Sequence, residues 1–259
     1  MGKSLKENLQ KRKVTIGSWL TIGNTSIAEI MAKSGFDWLV VDIEHSAITL
    51  DQAQQLIQTI ELSGIVPLVR VGENNPNIIK RAMDAGAHGV IVPMVNNKED
   101  ALRAVHSVKY PPLGKRGVGL ARAQGYGLKF ERYKDWVNRD SIVVIQVEHI
   151  EAINNLEEIL ETKGIDASII GPYDLSASLG YPGEFERSEF KEVLKRYENV
   201  CRQLNKPMGI HVVSPDYREA LKYIEKGYRF IAFSLDTLFL GIKCREQLEG
   251  LKDKLRRRR

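Results

Sequence analysis

Eight short, unbroken apolar runs alternate along the chain with longer helical patterns, and this alternation constrains the fold more than any other feature. The runs span residues 16–20, 38–41, 67–69, 89–92, 142–147, 167–170, 208–213 and 230–233. They are continuous and rich in β-branched residues, as expected of parallel strands covered on both faces. Between them, Leu50, Ala53, Leu56, Ile57 and Ile60 form a stripe at helical spacing that Gly64 closes. Ala152, Ile153, Leu156, Ile159 and Leu160 form another, closed by Gly164, and 189–204 also reads as helix. Asn75-Pro76 and Ser214-Pro215 each pair an N-cap residue with a proline at the first helical position. Strand and helix repeated eight times predict an α/β chain of a single domain over 1–259, a (β/α)8 or TIM barrel, with polar basic tails at 1–13 and 252–259. The length of 259 residues matches the roughly 250 that such a barrel needs. A doubly wound open sheet is the alternative. It usually has fewer strands and often a glycine-rich phosphate loop after the first, which Gly17-Ser18-Trp19-Leu20 does not provide.

Bulk properties exclude several function classes. No apolar run approaches the roughly 20 residues needed to span a bilayer, and the N-terminal segment has no hydrophobic stretch after its basic residues. Neither a membrane partner nor a secretory leader is expected. Cys201 and Cys244 stand at no metal-site or redox spacing, so both read as reduced thiols of a cytoplasmic protein. The formal charge is +5, with much of the excess in Lys11-Arg12-Lys13 and Arg256 to Arg259. No nucleic-acid-binding motif accompanies these clusters. They read as solvated, frayed termini, and no nucleic-acid partner is expected.

In a parallel barrel the active site lies at the C-terminal ends of the strands. Asp42, Glu44 and His45 follow the second run, and Arg70 ends the third. Gln146 lies in the fifth with Glu148 just after it, Gly171-Pro172-Tyr173-Asp174 follows the sixth, and His211 lies in the seventh. Each has a bland reading: Asp42 and Glu44 as caps or solvated groups, Arg70 as a barrel-end ion pair, Asp174 as a helix N-cap. Several charges at one barrel mouth are costly unless a ligand or metal compensates. Glu148 and Asp174 are the metal-ligand candidates. Hard oxygen donors suit one divalent ion, Mg2+ or Mn2+, with Co2+ a further candidate, and no Cys or His cluster suggests structural zinc. Such a site chelates a 2-oxoacid, Arg70 adds positive charge beside the enolate oxygen, and His45 carries a proton near neutral pH. No strand carries a lysine within it or at its C-terminal end, which argues against a Schiff-base route. The Gly- and Pro-rich segment 110–127, with Arg116 and Arg122, is too long for a plain connection and is expected to serve function or subunit contact.

At these residues the chain resembles the class II pyruvate aldolases of the 4-hydroxy-2-oxoheptanedioate and 2-dehydro-3-deoxyglucarate (HpcH/HpaI) family, from about Gly17 to about Asp236. The matching stretches include Phe36-Asp-Trp-Leu-Val-Val-Asp-Ile-Glu-His45, Met83-Asp-Ala-Gly86, Tyr110-Pro-Pro-Leu-Gly-Lys-Arg-Gly117, Gln146-Val-Glu148 and Gly171-Pro-Tyr-Asp-Leu-Ser176. Several separated motifs in order make a specific signal. The resemblance implies metal ligation by Glu148 and Asp174. It implies 2-oxoacid contacts from Gln146 and the backbone at Tyr173, with Asp42 grouped among the substrate-binding candidates. It assigns Arg70 to the enolate, His45 to acid/base work and Asp84 to raising the basicity of His45. It further implies a homo-oligomer, a hexamer favoured, with Arg122 at or near a subunit contact beside the site. The periodicity puts Asp84 at the end of a helix before the fourth strand, so it reaches the mouth only if that helix or a neighbouring subunit brings it there.

The reading is therefore a metal-dependent carbon–carbon lyase, cleaving a 4-hydroxy-2-oxoacid to pyruvate and an aldehyde. Alternatives are another enolate reaction on the same scaffold, such as acyl-CoA condensation or decarboxylation, and a non-catalytic barrel binding an anion or nucleic acid through its tails.

Overall fold

The computed structural model describes residues 5–257. The strands are β1 (Thr15–Leu20), β2 (Trp38–Asp42), β3 (Val66–Arg70), β4 (Gly89–Val92), β5 (Ile142–Val147), β6 (Ala167–Ile170), β7 (Met208–Val212) and β8 (Phe230–Leu235). Each pairs in parallel with the next, and β8 pairs with β1, closing the barrel. The helices are α1 (Leu5–Gln10), α2 (Thr25–Lys33), α3 (Leu50–Leu62), α4 (Pro76–Asp84), α5 (Lys98–Val108), α6 (Phe130–Asp140), α7 (Ile150–Asn154), α8 (Leu156–Glu161), α9 (Pro172–Ser178), α10 (Ser188–Gln203), α11 (Tyr217–Glu225) and α12 (Asp236–Arg256). Among the described residues no helix is long and apolar enough to cross a membrane.

Side-chain alternation along each strand creates two cores. Leu39, Val41, Val69, Val90, Val143, Ile145 and Ile231 face outward and pack under the helices. Trp38, Val40, Leu68, Ile91, Val144, Ile169, Phe230 and Ala232 fill the barrel itself. Its lower layer is built around Trp38 and Phe230, whose rings stack at 4.1 Å. Glycine makes the room: a Cβ on Gly17 would lie 2.0 Å from Trp38 Cδ2, and one on Gly209 3.0 Å from Phe230 Cδ1. Near the top, the inward positions of the odd strands carry Trp19, Arg70, Gln146 and His211, which line one pocket. The barrel is thus apolar up to its last layer, where it becomes polar.

Three expectations are corrected. The N-terminal segment is not a frayed tail over its described part. Residues Leu5–Gln10 form α1, and Leu5 and Leu9 close the barrel from below, while Lys6 pairs with Asp166 at 2.9 Å. Burying those two leucines, one helical turn apart, holds the helix in place. Residues 1–4 and 258–259, including Arg258 and Arg259, lie outside the described residues; 252–256 belong to the exposed end of α12. Ser214-Pro215 does not open α11: Asp216 does, its side chain accepting from Arg218 N. Asn75 and Pro76 do open α4. The stripe at 152–160 divides into α7 and α8 at Asn155, which leaves helical geometry at φ −102°, ψ 14°.

The 110–127 segment is held from inside. The Arg116 side chain is fully buried, donates to Tyr133 Oη at 2.9 Å and to Asp84 Oδ1 at 2.5 Å, and lies over the Tyr110 ring at 4.9 Å. The segment exposes Val118, Leu120 and Tyr126, and Leu128 just after it is exposed too. On α12, residues 241–256 are all exposed, Leu248, Leu251 and Leu255 among them. Cys244 lies on this exposed stretch, whereas Cys201 is buried.

Candidate active site

β2 and β3 deliver the first charged pair. Asp42 lies opposite Arg70 in register, and the guanidinium grips its carboxylate twice, Nε to Oδ1 at 2.9 Å and Nη2 to Oδ2 at 2.5 Å. Asp42 Oδ1 also accepts from the backbone N–H groups of Glu44 and His45, at 3.0 and 3.2 Å. Burial alone would raise the Asp42 pKa, but Arg70 and these N–H groups outweigh it and hold it below the usual value. With every donor around it engaged, Asp42 is placed to orient Arg70 and the turn carrying Glu44 and His45. Arg70 in turn lies 4.5 Å from the Trp19 ring centroid and faces the pocket.

β5 delivers Gln146 and Glu148. Glu148 is 4% exposed. Its Oε1 accepts from Met94 N at 2.6 Å, and its Oε2 from the Gln146 carboxamide. Burial raises the Glu148 pKa, the bonds from Gln146 and Met94 oppose this, and Asp174 adds to it. Asp174 stands exposed in the first turn of α9 and makes no hydrogen bond or ion pair with the described residues. Glu44 completes an acidic triangle. Its pKa is raised to about 7, by burial first, with Arg70 opposing and Glu148, Asp42 and Asp174 adding. Glu44 Oε2 lies 3.2 Å from Arg70 Nε as a charge contact, and this buried atom has no hydrogen-bond partner. Two partly buried carboxylates, Glu44 and Glu148, whose proton affinity is raised by burial and by nearby negative charge, with one buried oxygen lacking a hydrogen-bond partner, fit a cation. The donors are all oxygen, which suits a hard divalent ion. Glu148 and Asp174 could hold it. Among the described residues no three His, Cys, Asp or Glu side chains form a group that could hold a metal by themselves.

Arg70, Gln146, Gly171, Tyr173, Asp174, Trp19 and His211 border a pocket of about 50 Å³. A Cβ on Gly171 would lie 3.3 Å from Glu148 Oε2 and 3.4 Å from Gln146 Nε2, so glycine keeps that wall open. His45 stands at the rim, its side chain 63% exposed and Nε2 3.9 Å from Glu44 Oε2. Tyr173 is half-exposed and packs edge-on against Phe185.

Asp84 and Arg122 are not brought to this mouth. Asp84 ends α4, at the opposite end of the barrel from the strand ends. There it is bound by Arg116 and by Gln124 Nε2 at 3.1 Å. Arg122 donates to Glu61 and to the Ala85 carbonyl. Within one chain these groups serve the 110–127 segment. Trp19 and Glu44 are site residues to which sequence reasoning assigned no role. The signal for Trp19 was available: it occupies the inward position of an odd strand, level with Arg70 and Gln146.

The profile of the HpcH/HpaI aldolase/citrate lyase family matches residues 15–240. The chain is 38% identical over 254 residues to a 2-keto-3-deoxy-L-rhamnonate aldolase of Escherichia coli (strain K12), covering 97% of this chain and 94% of that protein. It is 36% identical over 245 residues to a 2-dehydro-3,6-dideoxy-6-sulfogluconate aldolase of Pseudomonas putida, covering 94% and 95%. The crystal structure of an HpcH/HpaI aldolase/citrate lyase family protein from Burkholderia cenocepacia J2315 superposes with a TM-score of 0.91 at 32% identity, covering 96% and 98%. With a closed parallel barrel, an acidic pocket at its C-terminal mouth and likeness over nearly its whole length, this chain belongs to the HpcH/HpaI aldolase/citrate lyase family.

Proposed function

We propose that the chain is a cytoplasmic, divalent-metal-dependent aldolase that reversibly cleaves a 4-hydroxy-2-oxoacid to pyruvate and an aldehyde. The observation that carries this reading is a pocket lined by Arg70, Gln146 and Asp174, with the buried Glu148 held behind it by Gln146 and electrostatically coupled to Asp174. A divalent ion held by Glu148 and Asp174, with Mg2+, Mn2+ and Co2+ the candidates, would supply Lewis-acid polarisation of the keto group. Gln146 and the backbone at Tyr173 hold the 2-oxoacid end. Asp42 fixes Arg70, which faces the oxygen where negative charge develops as the C3–C4 bond breaks. His45 at the rim takes the C4 hydroxyl proton. The C3–C4 electron pair passes into the enolate, the aldehyde departs, and a proton returns to C3.

Asp84 and Arg122 enter this scheme only from a neighbouring subunit. A homo-oligomer, a hexamer favoured, is supported by the apolar outer side of 110–127 and by the exposed leucines of α12.

The test is pyruvate release, coupled to lactate dehydrogenase, from a panel of 4-hydroxy-2-oxoacids with each metal. Activity is expected to vanish on thorough chelation and to return with a divalent ion. Glu148→Gln is expected to lower kcat by about a thousandfold. Turnover that survives chelation, or a wild-type rate in Glu148→Gln, overturns the reading.

A further inference from the structure

One residue at the mouth holds a backbone conformation that its own chemistry disfavours. Met94 follows β4 at φ 50°, in the left-handed region where a Cβ is crowded and which glycine adopts freely. Packing of its side chain does not explain this, because Met94 is 50% exposed between the buried Pro93 and Val95. What the turn achieves lies in its backbone: the Met94 N–H donates to Glu148 Oε1 at 2.6 Å. Among the described residues none from β4 lines the pocket, so this N–H is what that end of the barrel gives to the site.

A strained backbone persists only where its surroundings over-determine it, and both flanks of Met94 are fixed. The chain arrives from the ladder through Val92, which pairs with Ile145 of β5. It leaves into Asn96, whose N–H donates to Asp100 Oδ2 at 3.2 Å and whose carbonyl accepts from Asn155 Nδ2 at 2.8 Å. Asn155 is the residue at which α7 and α8 part, and α7 begins two residues after Glu148. The break between these helices thus places a carboxamide on the loop that carries Met94. The Gln146 carboxamide holds the other oxygen of Glu148. A carboxylate oxygen takes more than one partner, so Glu148 is pinned at both oxygens and still able to meet a cation.

Resting on the aldolase reading and its divalent ion, we infer that Met94 and Asn155 are positioning residues for Glu148: the left-handed turn at Met94, braced by Asn155, aims an N–H that fixes the carboxylate in the orientation the ion requires. Neither acts by contact with metal or substrate. The requirement at position 94 is for a backbone conformation, so metal affinity follows how readily a residue takes positive φ rather than the size or polarity of its side chain.

The experiment titrates the metal-free protein with Mn2+ by calorimetry, alongside thermal melts. Asn enters the left-handed region readily, whereas a β-branched residue there is an outlier. Met94→Asn is therefore expected to bind Mn2+ within about twofold of the wild type. Met94→Val should bind about tenfold more weakly, the size of losing one hydrogen bond to a charged group. Asn155→Ala, which leaves residue 94 unchanged, should weaken binding about threefold. A turn that served stability alone would lower the melting temperature of Met94→Val and leave its Mn2+ affinity as in the wild type, and that result overturns the inference. Equal losses in Met94→Asn and Met94→Val overturn it too, by putting the effect in the side chain. If Met94→Val does not fold, wild-type affinity in Asn155→Ala overturns it instead. A wild-type protein that binds no Mn2+ defeats the metal-dependent reading, and this inference with it.

Discussion

At the scale of single residues, Asp42 is the group most tightly tied into the mouth of the barrel. Its two oxygens accept four hydrogen bonds, two from Arg70 and two from the turn that leads to His45. Asp42→Asn preserves the size and removes the charge that clamps Arg70. Steady-state kinetics should show kcat down by about a hundredfold, since misplacing a stabilising group by about 1 Å can cost that much. His211 yields a prediction with a definite sign. In the unfolded chain its pKa is near the ordinary histidine value of 6.5, and in the fold burial pushes it down to about 3. Between these values the unfolded chain binds the extra proton, so the contribution of this group to stability falls as pH drops from about 6.5 toward 3 and is flat above 6.5. Thermal melts should therefore show the wild type losing ground to His211→Leu as pH goes from 7 to 5. A difference between the two that ignores pH would show that the ring is already solvated in the fold.

At the scale of elements, the barrel interior depends on which strands give up their side chains. Gly17 on β1 yields its space to Trp38 of β2, and the predicted Cβ clash at 2.0 Å has no flexible chain end to absorb it. Gly17→Ala should destabilise the fold by about 3 kcal/mol or abolish soluble expression, as read by urea unfolding. The same packing explains what the sequence made legible. The strands could be read because both of their faces are buried, which leaves unbroken apolar runs. The end of β2 was underread because Asp42 interrupts the apolar pattern, although it pairs in the ladder with Arg70, which was read as the end of β3, and faces it at the mouth. The helix α1 was unreadable because only Leu5 and Leu9 carry it, and their value comes from the barrel floor they cover. The placements of Asp84 and Arg122 were only partly legible. Position along a helix put Asp84 at the far end of the barrel, but its ties to Arg116 and Gln124 join residues 32 and 40 positions apart, which no local pattern encodes.

At the scale of the whole molecule, two stretches each leave several large apolar side chains bare. One is the outer side of 110–127 and the other is α12, whose 21 residues extend for roughly 32 Å at 1.5 Å per residue. Leu248, Leu251 and Leu255 recur along it at intervals of three and four and stay exposed, the spacing of a helix face that packs against another surface. Sedimentation should show a homo-oligomer, and replacing these three leucines by Asp should lower its order while leaving the barrel folded by circular dichroism. The helix also carries its own reporter. Cys201 is shut inside the fold and Cys244 lies open on the exposed stretch of α12, so a maleimide added to the native protein marks one position only. The speed of that labelling, followed across a dilution series, becomes a gauge of how much of the arm is covered at each concentration.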